Sequence, residues 1–182
     1  DGQSVSFRHG DDGSLIIDSP PESDNFTLEL RNTCAPDKNK QLSGLYASGS
    51  GLFTQCEAEG FRRITYFLDR PDVMSVFRVT MTADKALAPI LLANGNLVEH
   101  GDVDGEHYAV WDDPFPKPSY LFALVAGDLG AIHDSFTTMS GRNVELGVYC
   151  THGKEEECYW AMDSLKRSMA WDERRFGREY DL

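Results

Sequence analysis

Short runs in which apolar and polar residues alternate, separated by Gly-containing turns, constrain this chain more than any other feature. Phe26, Leu28 and Leu30 alternate with Thr27 and Glu29, and Phe77, Val79 and Met81 alternate with Arg78 and Thr80. A period of two is that of a strand with one buried face. Ile90 to Ala93, Asn94-Gly95-Asn96 and Leu97-Val98 together read as a hairpin, because Asn-Gly accepts the positive φ its turn needs. Asp104-Gly105 marks a second turn, between Val98 and a strand from His107 to Trp111, and Ser140-Gly141-Arg142-Asn143 a third, between Phe136 and Val144. Tyr120 to Ala126 is a nearly continuous apolar run, which suits a strand buried on both faces. The Pro-rich segment Pro114 to Pro118 is excluded from a central strand and is expected as a rigid lead-in at the surface or an edge. The expected fold is mainly β, a β-sandwich or saddle-like assembly of sheets.

Near Cys150 the pattern changes. Glu155, Glu156 and Glu157 precede Trp160, Met162, Leu165 and Met169, and Lys166, Arg167, Arg174 and Arg175 follow. Acid first and base later suits a helix dipole, and Met162, Leu165 and Met169 share a face. A helix from about Glu156 to Phe176 is therefore expected, its apolar face packed on something. At 182 residues the chain is long enough for one full domain or two small ones. The division expected is a β-rich unit over residues 1–130, incomplete at its start, and a short β-hairpin and helix over residues 131–182. The chain opens Asp1-Gly2 without Met, so a longer parent is expected.

Charge narrows the function classes. Asp and Glu number 30 against 17 Lys and Arg, a formal charge of −13. Nothing forms the basic stripe of a nucleic-acid binder. No apolar run approaches the ~20 residues of a membrane span. Cys34, Cys56, Cys150 and Cys158 are irregularly spaced and too few for a disulfide scaffold, so they read as reduced thiols of a cytoplasmic protein, with a periplasmic origin as the alternative. The five histidines are dispersed, with no His-Glu-x-x-His. Cys150-Thr151-His152 with Cys158 is the one cluster near metal-ligand spacing, and it lacks a recognisable fourth ligand.

The densest chemistry lies between Gln55 and Asp72. If Gln55 to Glu57 is extended, residues two apart point to one side, and both polar ends line one wall of a cleft. A carboxylate there suits a protonated α-amine, whose pKa is near 8. The pattern alone leaves a second reading, a surface Glu beside a structural Gln. Cys56, between them, is expected to point away as a small buried hydrophobe. Glu59, Arg62, Arg63, Asp69, Arg70 and Asp72 are expected to form an ion-pair network pinning the turn near Pro71.

The run Gln55-Cys56-Glu57-Ala58-Glu59-Gly60-Phe61, continuing through Arg63-Ile64-Thr65-Tyr66-Phe67-Leu68-Asp69-Arg70-Pro71-Asp72, resembles the N-terminal region of the bacterial M1 zinc aminopeptidases. Asp113-Pro114-Phe115-Pro116-Lys117-Pro118 and Tyr120-Leu121-Phe122-Ala123-Leu124-Val125-Ala126-Gly127-Asp128 carry the same likeness, which runs from about Leu42 to Leu182. In that family a Gln-x-Glu matching Gln55 and Glu57 holds the substrate amine. A thermolysin-like domain with a Gly-Ala-Met-Glu-Asn loop and a His-Glu-x-x-His zinc helix performs the hydrolysis. Neither motif occurs here. The resemblance implies part of an aminopeptidase that acts on peptides with a free N-terminus, with zinc in the full-length parent and none in this chain. It further implies docking to the missing catalytic domain, no hydrolysis by this piece alone, and open sheet edges prone to self-association. Two other readings stand beside it: a freestanding acidic β-sandwich binding module, and a non-peptidase member of the same superfamily.

Overall fold

The computed structural model describes residues 4–20 and 22–182. The Asp1-Gly2 opening and Pro21 lie outside the described residues. Strands β1 (Phe7–His9) and β2 (Leu15–Ile17) make a small antiparallel ribbon. Next come β3 (Gly44–Ser48), β4 (Gly51–Gln55), β5 (Met74–Ala83), β6 (Ile90–Ala93), β7 (Asn96–Val103), β8 (Glu106–Pro118) and β9 (Leu124–Gly127). Then β10 (Gly130–Thr137), β11 (Asn143–Cys150) and the helix α1 (Tyr159–Phe176) close the chain.

Two sheets form the main body, one in the order β3-β4-β9-β6 and the other β5-β8-β7, all neighbours antiparallel. Along β5 the alternation holds: Phe77, Val79 and Met81 turn inward while Arg78 and Thr80 face solvent. Met81 and Ala109 of one sheet pack against Leu91 and Ala126 of the other. A second cluster joins Cys56, Phe61 and Phe122, with Phe77 and Leu124 against it. Its rings meet edge to face, with centroids 4.9 Å apart for Phe61–Phe122 and 5.8 Å for Phe61–Phe77. That geometry sets the positive ring edge against the negative face.

β10 and β11 pair only with each other, and α1 covers them through Met162, which is 4% exposed, packed with Val144 and Leu146. The helix ends where Gly177 adopts φ 63° and returns its N–H to the Glu173 carbonyl, the left-handed cap glycine permits. Arg174 and Arg175 lie in the last turn, on the side the dipole favours. Met169 joins the buried face, but Leu165 remains exposed, as do Trp160 and Trp171.

Four expectations are corrected. Phe26 to Leu30 forms no strand; the segment is exposed and unpaired, and alternation without a neighbouring sheet has nothing to bury against. Residues 90–98 do turn at Gly95 (φ 91°), yet β6 pairs with β9 and β7 with β8, so the turn crosses between sheets. The Asn94 side chain is committed to that crossover, donating to the Leu121 carbonyl and accepting from the Ala123 N–H. Within Tyr120 to Ala126 only the end is strand: Ser119–Leu121 is a 3-10 turn, Phe122 enters the aromatic cluster, and β9 then runs between β4 and β6. Pro114 to Pro118 belongs to β8, but beyond the last β7 partner of that strand, Asp112, and across a bulge in the pairing with β5. Proline is tolerated there because one side of the strand is free.

Candidate functional site

Pairing of Gly44 with Gln55 ends β4, and the chain then turns sharply. Cys56 plugs into the aromatic cluster at 3% exposure, while Gln55 and Glu57 on either side stand in solvent. The inward–outward alternation thus persists one step past the strand. The Glu57–Ala58 peptide bond is cis. The Gly60 N–H donates to the Cys56 carbonyl at 2.7 Å, closing the turn, and Gln55 Nε2 donates to the Glu57 carbonyl at 3.3 Å. Gly60 is required by contact: a Cβ there would lie 2.3 Å from the Gln55 carbonyl oxygen and 2.9 Å from the Cys56 Cα.

The turn is braced from the far side by Asp69, 5% exposed. Its carboxylate accepts from the Arg62 backbone N–H at 3.0 Å, from Arg62 Nε at 3.2 Å and from Ser119 Oγ at 2.5 Å. Burial pushes the Asp69 carboxyl pKa up, but the Ser119 and Arg62 hydrogen bonds and the Arg62 charge outweigh it, and the net shift is downward. A buried carboxylate persists only with such partners. Burial, with the neighbouring Asp69 charge, pushes the Cys56 thiol up to about 11. Cys56 is therefore a protonated filler of the core.

The expected ion-pair group is assembled in part. Arg62 reaches Asp69 and, at 3.6 Å, Glu59; Arg70 pairs with Asp72; Arg63 makes no ion pair in this group, its Cβ lying 2.7 Å from where a Gly44 Cβ would be. One member escaped the sequence, and a separate buried carboxylate, paired with a lysine, lies beside it in the Pro-rich run. Ser119 lies 50 positions from Asp69, with no local signal. Asp113, 1% exposed, is bonded by Lys117, an i,i+4 spacing visible within the Pro-rich run. At the other end, His152 Nε2 meets Asp128 Oδ1 at 2.8 Å, and the Asp128 hydrogen bond and charge raise the His152 pKa. Cys158 donates to the Lys154 carbonyl. Neither of two surface hollows, one lined by Leu92, Leu97, Tyr108 and Trp111 and the other by Met169, Phe176 and Tyr180, includes Gln55 or Glu57. Those two side chains occupy an open ledge.

Residues 4–121, which include the strands of both main-body sheets up to the Ser119–Leu121 turn, match the Peptidase M1 N-terminal domain. The chain belongs to the M1 peptidase family. It is 55% identical over 173 residues to aminopeptidase N of Escherichia coli, covering 94% of this chain and 20% of that protein. Against aminopeptidase N of Caulobacter vibrioides it is 58% identical over 169 residues, covering 92% and 19%. Among solved structures, Legionella pneumophila aminopeptidase A in complex with aspartic acid superposes with a TM-score of 0.76 at 41% identity, covering 79% of this chain and 17% of that one. A mutant two-domain M1 zinc metallopeptidase bound to L-tryptophan shares the fold, with a TM-score of 0.63 at 18% identity over 74% of this chain and 31% of that one. The chain spans about a fifth of the length of the curated relatives it matches.

Zinc is the metal this family implies. Among the described residues no three His, Cys, Asp or Glu side chains converge as ligands. No helix among the described residues is long and apolar enough to cross a membrane.

Proposed function

We propose that this chain is the N-terminal portion of a cytoplasmic, zinc-dependent aminopeptidase that releases N-terminal residues from peptides. Its part is to supply substrate recognition and scaffold. Glu57 accepts N–H bonds from the protonated α-amine, and Gln55 lines the same ledge. Each charged hydrogen bond of this kind contributes roughly 1.5–3 kcal/mol. Holding the amine also sets which peptide bond reaches the catalytic centre, which makes the enzyme an exopeptidase.

The zinc, its ligands and the general base belong to a catalytic domain outside this chain, which docks against it. Residues 1–130 form the recognition unit, and residues 131–182 lead into that domain; the separate core of Val144, Leu146 and Met162 supports the division. Four free cysteines support the cytoplasmic location. The charge of −13 supports a cationic amine over nucleic acid as ligand.

The observation carrying this reading is the likeness to bacterial aminopeptidase N along nearly the whole chain, with Gln55 and Glu57 exposed where an amine can reach them. The test compares the complete protein with the 182-residue chain on an aminoacyl anilide, with and without a zinc chelator. Hydrolysis by the complete protein alone, abolished by chelation, is expected. Hydrolysis that survives chelation, or a complete protein inert on every free-amine substrate, contradicts it.

A further inference from the structure

Asp69 is a buried carboxylate that the amine-binding ledge does not touch, yet it is bonded into the turn that carries the ledge. Three separated segments meet on it: the Phe61–Arg63 turn through the Arg62 N–H and guanidinium, its own loop, and the Ser119 turn through Oγ. Arg62 Nη2 also donates to the Asp69 carbonyl at 2.7 Å, so both ends of that residue are held. The turn in its place, Phe61 sits against Phe122 and Phe77, and Gly60 presses on the backbone of Gln55 and Cys56. From Asp69 the contacts run through the Arg62 backbone N–H and the Phe61–Arg63 turn to Gly60 and the Gln55–Cys56 backbone, with the half-exposed Arg62 guanidinium bonded alongside.

We propose that Asp69 is a positioning residue for amine recognition, holding the Glu57 carboxylate in register through Arg62 and the Gly60 turn, with Ser119 fixing Asp69 in turn. The inference rests on the amine-anchor reading of Glu57. Geometry is the reason for it: an anchor that measures distance to a scissile bond loses its purpose when it shifts by about an ångström. The ledge is open and Glu57 has no bonded neighbour on its carboxylate among the described residues, so the backbone beneath it is what aims it. A carboxylate costs stability to bury, and fixing the turn is what this one does in return.

The experiment uses the complete protein and calorimetric binding of L-phenylalanine against hydrocinnamate, which differs from it by the amine alone. Asp69→Asn and Ser119→Ala are compared with Glu57→Gln. Asp69→Asn is expected to weaken L-phenylalanine about tenfold, the size of one charged hydrogen bond, and to leave hydrocinnamate unchanged. Ser119→Ala, which keeps the carboxylate, is expected to show the same selective loss in smaller degree, and decides the matter if Asp69→Asn does not fold. A folded variant that binds both ligands as before, or loses both alike, overturns the positioning role while Glu57→Gln still loses the amine preference. A Glu57→Gln protein that keeps that preference overturns the anchor reading and this inference with it.

Discussion

Trp111 Nε1, on β8, donates a hydrogen bond of 3.1 Å to the Leu91 carbonyl on β6, joining the two sheets of the main body. The indole lies against the same cluster as Met81 and Ala126, so one side chain contributes apolar contact and a directional bond between layers. A tryptophan in this position satisfies its N–H while burying its ring. Trp111→Phe keeps most of the ring and strands the Leu91 carbonyl. The variant is expected to lose about 1 kcal/mol of stability, read from the urea midpoint at unchanged slope.

The Asp69 carboxyl predicts an acid limb to the stability curve. Its folded pKa lies below the ordinary 3.8. The unfolded chain therefore binds the proton more readily, and the stabilisation is fully present above 3.8 and lost as pH falls through the folded value. Asp12, Asp134 and Glu179 are shifted the same way, so the acid loss is shared. The difference between wild type and Asp69→Asn isolates one part of it: that difference is expected to be constant above the ordinary value and to shrink below it. A difference independent of pH contradicts the assignment.

What the sequence disclosed, and what it hid, divides by distance along the chain. The β5 alternation was legible because Phe77, Val79 and Met81 carry their burial in their own spacing. The Asp104-Gly105 and Gly141 turns were legible for the same reason, being local backbone choices. Asn94-Gly95 misled, because the turn is local but the partners of β6 and β7 are chosen by contacts with residues 121–123 and with β8. Phe26 to Leu30 misled because period two signals a strand only where a sheet edge meets it. Gln55 and Glu57 were legible as neighbours flanking a buried Cys56, whereas Ser119 was invisible as the partner of Asp69 because no local pattern links them.

Open edges make a prediction for the isolated chain. In the order β5-β8-β7 the last strand has one neighbour, and Leu97, Val98 and Val103 along it are exposed. We expect concentration-dependent self-association of the 182-residue chain by light scattering. Val98→Lys is expected to lower it by placing charge on the edge. A wild-type chain that is monomeric at every concentration contradicts the edge account.

The proposed role of Glu57 as the acceptor for the substrate amine is read out most directly by the steady-state kinetics of Glu57→Gln in the complete protein. Losing a charged hydrogen bond to the amine is expected to raise KM for free-amine substrates about tenfold or more. Gln55→Ala is expected to act in the same direction by less. A KM and turnover equal to wild type on such substrates would contradict the account.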